Sequence, residues 1–310
     1  MTTRLRRAID SAAAVLADAG IDSARCDAEL LAAHLAGTDR GRLALLDPPD
    51  EFFARYHDVV GARSRRIPLQ HLTGTVAFGP VVLRVGPGVF IPRPETEALL
   101  AWATAQRLPV RPVIVDVCTG SGALAVALAH HWPEARVVGI DDSDDALNYA
   151  RHNVAGTGVV LVRADVTTPG LLTELNGQVD LVVANPPYVP NGTALEPEVA
   201  QYDPPHAVFG GPDGMTVISV VADLAGRWLR PGGMLGIEHD EAKSSCTVEL
   251  IFRTGLFDDI VARKDLAGRQ RFVTARRKAA PLSCAGDDAE RSDSEGMRRS
   301  SAVDPPVRLH

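Results

Sequence analysis

The chain has no paired cysteines: Cys26, Cys118, Cys246 and Cys284 stand far apart, which excludes a zinc ribbon or a redox dithiol read from spacing. A reduced, cytoplasmic protein is the expectation. No long apolar run is present either. The longest uncharged stretch, Val117 to Pro133, is broken by Gly, Ser, Thr and two His, so no membrane span is expected. The alanine-rich segment behind Arg4, Arg6 and Arg7 is interrupted by Asp10 and Asp18, which argues against a secretory leader. Positive charge is not in excess. The net charge is −7, and residues 1–75 carry ten basic and ten acidic groups, 76–277 seventeen and twenty-three, and 278–310 five and six. No segment is basic overall, so direct sequence-specific binding of nucleic acid is not expected.

Hydrophobic residues make up 45% of the 310, enough for a substantial core and for roughly two domains. Leucine, isoleucine and alanine recur at helical spacing from Thr2 to about Ala36, with a break at Gly20 and a restart at Asp22 or Ser23. A further helical pattern runs from about Asp50 to Arg66. The cluster Arg63, Arg65 and Arg66 reads as a solvated helix end, with contact to a phosphate or an acidic partner as the alternative. These helices define an expected N-terminal domain, 1–67. Residues 68–92 then carry short β-branched runs punctuated by Gly74, Gly79-Pro80 and Gly86-Pro87-Gly88, the pattern of a β-hairpin linker. Pro94 suits the first turn of a helix through Leu100 and Trp102.

From Val113 onward strand and helix patterns alternate. Val113–Val117, Val137–Ile140, Val159–Val162, Leu181–Ala184 and Met234–Glu238 read as strands. Ala123–His131, Asp144–Val154, Leu171–Leu175, Met215–Leu229 and Ser244–Thr254 read as helices. Asp258–Ala262 and Arg271–Ala275 complete the sheet as an antiparallel edge. This is an α/β fold, a Rossmann-like, doubly wound sheet over residues 93–277. Residues 278–310 are rich in Ser, Asp, Arg, Ala and Pro and read as a disordered tail.

The chemistry is concentrated at strand ends. Asp116-Val117-Cys118-Thr119-Gly120-Ser121-Gly122 follows the first strand and opens a helix, so small residues let the backbone approach a ligand beside free N–H groups. The dinucleotide spacing is absent and no P-loop lysine follows. Asp141 ends the second strand, where a carboxylate accepts from ribose hydroxyls, and Asp165 ends the third, where it accepts from an adenine amine. A small-residue loop with three acids fits a nucleoside carrying a cationic group, and S-adenosylmethionine is such a ligand. Asp142, Asp144 and Asp145 read as helix caps or surface turns. The fourth strand ends in Asn185-Pro186-Pro187-Tyr188. An amide, proline-freed carbonyls and a flat ring suit a planar group bearing NH2. His130 and His131 read as surface or packing residues, and His239 as a candidate pocket lining.

These motifs resemble the HemK/PrmC-type protein-glutamine methyltransferases, a group of Rossmann-like class I enzymes with an Asn-Pro-Pro-Tyr motif. The resemblance spans about residues 5–277. It is carried by Asp27-Ala28-Glu29-Leu30-Leu31, His71-Leu72-Thr73-Gly74, Phe90 to Glu97, Asp116 to Gly122 and Asn185 to Tyr188. It implies S-adenosylmethionine as cofactor, held by Cys118 to Gly122 around its methionine part, Asp141 at the ribose, and Asp165 and Val166 at the adenine. Asn185, Pro186, Pro187 and Tyr188 would hold a glutamine amide, with Asn185 also beside the cofactor. The implied partner is the Gly-Gly-Gln loop of a peptide chain release factor or, in a sister group, a ribosomal protein; an exocyclic amine of a nucleic-acid base is a further alternative. Two positions depart from the release-factor pattern: Cys118 stands where glycine is usual, and Val166 where an aromatic residue can cover the adenine.

Overall fold

Leu5, Ile9, Ala12 and Leu16, three or four residues apart, form one fully buried face of the first helix, α1 (Thr3–Asp18). That face packs on α2 (Ala24–Leu35) and α3 (Asp50–Ser64), whose Ala28, Leu31, Phe52, Tyr56 and Val60 complete a separate hydrophobic cluster. The Tyr56 hydroxyl donates to the Ala28 carbonyl at 2.8 Å, so the buried ring keeps a hydrogen-bond partner. The computed structural model describes residues 3–279; the expected tail lies outside them apart from residues 278 and 279. No helix among the described residues is long and apolar enough to cross a membrane.

Two expectations for the helical region need correction. Arg63 is not at a solvated helix end: its side chain is buried, with Nε 2.7 Å from Asp27 Oδ2 and Nη1 2.9 Å from Glu198 Oε1. Arg66 also reaches Glu198, at 3.3 Å. The opening of the hairpin segment is also helical, since Pro68 precedes a short turn of helix, α4 (Leu69–Thr73), that ends at the left-handed Gly74. The hairpin proper is β1 (Thr75–Phe78) with β2 (Val81–Arg84), paired antiparallel across Gly79-Pro80. Gly79 suits this turn. Its φ is +50°, and a Cβ would sit 2.6 Å from Leu100 Cδ2.

The remaining elements build one seven-stranded sheet. They run α5 (Thr96–Thr104), β3 (Val113–Val117), α6 (Ala123–His131), β4 (Arg136–Asp141), α7 (Asp144–Asn153), β5 (Val160–Arg163), β6 (Val179–Ala184), α8 (Pro197–Tyr202), α9 (Pro205–Val208), α10 (Thr216–Trp228), β7 (Leu229–Glu238), α11 (Ser244–Arg253), β8 (Phe257–Lys264) and β9 (Gln270–Arg277). Leu171–Leu175 forms only a 3-10 turn at Thr173–Leu175, and Pro94 lies in the turn before α5. The two short helices α8 and α9 were not expected. The strand order is β5-β4-β3-β6-β7-β9-β8, parallel from β5 to β7 and antiparallel at β7–β9 and β9–β8.

All six residues of β6 are buried, as a central strand covered on both faces demands. Neighbouring residues serve opposite faces: Val115, Val182 and Leu235 join a cluster with Ile218, Trp228 and Ile251, while Ile114, Leu181 and Met234 join Leu99, Leu124 and Leu128. Each large aliphatic so buried contributes roughly 1.5–3 kcal/mol. Asp180 is the polar exception on β6. It accepts the Val113 N–H at 2.8 Å and pairs with Arg230. β3 has β4 on one side and β6 on the other, so the sheet reverses its winding there. A crevice opens beyond the carboxyl ends of these strands.

Candidate active site

In-register parallel pairing sets Val117 beside both Ile140 and Ala184, so the residues that follow β3, β4 and β6 emerge together. Beyond β3 the chain turns sharply, with φ of 58° at Cys118, 56° at Gly120 and 85° at Gly122. A non-glycine residue in that region stores of order 1–3 kcal/mol of strain, which Cys118 tolerates because the turn is pinned. Thr119 N–H donates to the Ile140 carbonyl at 2.9 Å and Gly120 N–H to Asp141 Oδ2 at 2.8 Å. Asp116 Oδ2 accepts the Thr119 hydroxyl at 2.6 Å and the Ala125 N–H at 3.0 Å.

A cavity of about 270 Å³ lies over these strand ends. Of the residues expected at a cofactor or acceptor site, Asp116, Cys118, Thr119, Gly120, Ser121, Asp141, Asp165, Val166, Asn185 and Pro187 line it. Gly122 does not; it caps α6 and packs near Val126 and Ala150. Pro186 and Tyr188 are not among the lining residues either. Tyr188 instead turns its hydroxyl to Glu238 Oε1, 3.1 Å away. His239 lines nothing: it is fully buried, with Nδ1 2.8 Å from the Asp240 carbonyl oxygen. His130 and His131 are exposed, and His131 sets its edge against Trp132. The cap of α7 is Ser143, which accepts the Ala146 N–H, while Asp144 pairs with Arg163 and Asp142 borders the cavity.

The opposite wall comes from two segments that carried no assigned role in the sequence. Phe90 and Pro92 approach from before α5 and Thr96 from its first turn, and Pro204, His206, Ala207 and Phe209 from around α9. Arg93 joins the two, its guanidinium 5.0 Å over the Phe90 ring and paired with Asp203. The turn after α9 also packs onto the end of β6. Gly214, at φ +77°, leaves so little room that a Cβ would meet the Tyr188 carbonyl oxygen at 2.2 Å. Thr96 matters most for orientation: Asn185 Nδ2 donates to Thr96 Oγ1 at 3.1 Å, which leaves Asn185 Oδ1 as the free end of the amide. Thr96 lies inside the Phe90–Glu97 stretch, but its hydroxyl had no distinguishing signal in the sequence. Glu238, an acid ending an otherwise buried strand, was a readable one.

Burial dominates the electrostatics. It pushes the Asp116 carboxyl up to about 7, against the Thr119 and Ala125 hydrogen bonds that favour the charge. Asp141 is also raised by burial, with the Ser143 and Gly120 N–H groups opposing. Asp165, exposed, is lowered by hydrogen bonds from the Thr167 hydroxyl and N–H. Asp116 Oδ1 and Ser121 Oγ are buried without a partner among the described residues, and both residues line the cavity. An acceptor and a hydroxyl left so suit a cationic group with N–H donors. Among the described residues no group of His, Cys, Asp and Glu is placed to hold a metal ion.

The family models described as the PrmC N-terminal domain and the methyltransferase small domain match residues 7–74 and 94–202. The chain is 73% identical over 278 residues to the release factor glutamine methyltransferase of Mycobacterium tuberculosis strain ATCC 25618 / H37Rv, covering 88% of this chain and 91% of that protein. It is 39% identical over 270 residues to a 4-amino-L-phenylalanine/4-methylamino-L-phenylalanine methyltransferase of Streptomyces pristinaespiralis, covering 84% and 91%. Among solved structures, a methyltransferase from Pyrococcus furiosus matches with a TM-score of 0.46 and 16% identity, over 64% of this chain and 89% of that one.

Proposed function

The chain belongs to the release factor glutamine methyltransferase family, and on that premise we propose that it transfers a methyl group from S-adenosylmethionine to the side-chain amide nitrogen of a release-factor glutamine. The observation that carries this reading is the Asn185 amide, tied by its nitrogen to Thr96 with its oxygen left free, on a residue that lines the same cavity as Asp116, Asp141 and Asp165. The residues fit the cofactor: the unpartnered Asp116 Oδ1 and Ser121 Oγ suit its ammonium, and Asp141 suits paired ribose hydroxyls. Asp165 and Val166 border the same cavity and would flank the adenine. When bound there, the cofactor supplies an electrophilic methyl on a sulfonium.

The work left to the chain is positioning. An amide nitrogen is a weak nucleophile because its lone pair is shared with the carbonyl, and its proton is too weakly acidic for a side-chain base at neutral pH. Asn185 Oδ1 and the Pro186 carbonyl are assigned as acceptors for the two amide hydrogens. This holds the nitrogen in one orientation and favours positive charge as it develops there. Pro187 lines the path, and Tyr188 buttresses the strand tip through Glu238. The proton then leaves to solvent. The test is incubation of the protein with methyl-labelled S-adenosylmethionine and purified release factor, followed by mass spectrometry. The expected product is a release factor one methyl heavier at a glutamine; label in ribosomal protein or nucleic acid with none in the release factor would overturn the reading.

A further inference from the structure

Thr96, a cavity-lining residue bonded to Asn185, leads to a buried carboxylate, Glu238, that is not among the lining residues. Glu238 ends β7 at 1% exposure, and Thr96 begins α5 at 3%. Glu238 Oε1 accepts the Tyr188 hydroxyl at 3.1 Å. Its Oε2 has no donor in full hydrogen-bonding geometry among the described residues, and the Thr96 hydroxyl is the neighbouring donor that favours the carboxylate.

The direction of these bonds follows from valence. A threonine hydroxyl has one proton and two lone pairs. The Thr96 oxygen already accepts the Asn185 Nδ2 hydrogen, so its single proton is free to point the other way, to Glu238. An ionised carboxylate can only accept. It therefore favours Thr96 donating toward Glu238 while accepting from Asn185, and an amide whose NH2 is held by Thr96 keeps its oxygen as the end free to accept. We propose that Glu238 is a positioning residue for methyl transfer, acting through Thr96 to keep the Asn185 carbonyl oxygen turned to the acceptor amide. This rests on the glutamine methyltransferase reading given above.

The charge state of Glu238 is the point of control. Burial pushes it up to about 7, opposed by Thr96, Tyr188 and Arg271 and assisted by Glu95. Arg271 reaches it from β9 and stands 3.5 Å from Asp265, while Glu95 is itself paired with Arg269 at 3.3 Å. His239 faces away, toward the Asp240 carbonyl. Once protonated, Glu238 becomes a donor, competes for the Thr96 oxygen, and releases the Asn185 amide to turn.

The experiment measures kcat and the cofactor KM separately against pH for the full-length protein, with release factor as acceptor. Wild-type kcat is expected to fall as pH drops below about 7. Glu238→Gln should lower kcat by roughly 10- to 100-fold, the usual weight of a hydrogen bond to a charged group, with cofactor KM unchanged and that acidic limb of kcat gone. Protonation of Asp116, which belongs to the cofactor side, shows instead in KM. Thr96→Ser should keep most of the turnover and Thr96→Val lose it, a comparison that decides the matter even where Glu238→Gln fails to fold. An unimpaired Glu238→Gln with the wild-type limb, or equal turnover in Thr96→Ser and Thr96→Val, overturns the inference while the methyltransferase reading stands. A wild-type protein inactive on release factor overturns both.

Discussion

Arg63 Nε and Asp27 Oδ2 lie 2.7 Å apart in a pair nearly closed to water, each side chain being 5% exposed, and the same guanidinium reaches Glu198 of α8 at 2.9 Å. One cation thus ties α2, α3 and the segment leading to the wall of the cavity. Without Asp27 the buried guanidinium keeps only Glu198, whose side chain is 27% exposed. Asp27→Ala should therefore cost about 3–5 kcal/mol of stability, read as a lower urea midpoint. A loss under 1 kcal/mol would mean that the pair behaves as a surface contact.

Glu198 and Asp203 hold the α8–α9 segment from two sides, through Arg63 and Arg93. The turn that follows has no space for a side chain at Gly214. Gly214→Ala combines a left-handed φ with a collision against the Tyr188 carbonyl, so the end of β6 must shift. The expected result is a drop in kcat of at least about tenfold in protein that still shows native circular dichroism. Unchanged turnover would show that the strand tip tolerates displacement.

Asp141 accepts from Gly120 and Ser143, one bond on each oxygen, and has acceptor capacity to spare at the cavity it lines. Asp141→Asn keeps the shape and replaces an all-acceptor group with a half-donor one. Cofactor affinity by calorimetry should weaken by roughly 10- to 100-fold, the equivalent of about 1.5–3 kcal/mol for a hydrogen bond to a charged group. Equal affinity in the two proteins would remove Asp141 from the ribose.

Asp116 and Glu238 each have a folded-state value raised to about 7 from ordinary values of 3.8 and 4.5. Between those limits the folded chain holds protons that the unfolded chain has released. Stability therefore falls as pH rises through that window and levels off above about 7. Thermal midpoints across the window should decline less in Glu238→Gln than in wild type. Identical slopes would mean that Glu238 ionises in the fold as readily as in the open chain.

Much of the sheet was legible because its strands are uniform. Val113–Val117 and Ala123–His131 form where β-branched and alanine-rich runs place them, and the antiparallel edge of Asp258–Ala262 and Arg271–Ala275 is present within longer strands. Local pattern could not show that Arg63 is buried, since its partners lie 36 and 135 residues away. Nor could it show α8 and α9, six and four residues long, where prolines read as loop punctuation. At the site, most of the strand-end residues converge on one cavity because parallel register requires it. Tyr188 was read as an open ring face, and only the fold reveals that Glu238 claims its hydroxyl. The wall formed by His206 and Phe209 arrives from a segment with no periodic signal.

Asn185 is the residue on which the account turns, and Asn185→Ala tests it most directly. With release factor and methyl-labelled S-adenosylmethionine, the variant is expected to transfer no methyl while still binding the cofactor by calorimetry. Turnover retained near the wild-type rate would contradict the assignment of the Asn185 carbonyl as the acceptor that orients the glutamine amide.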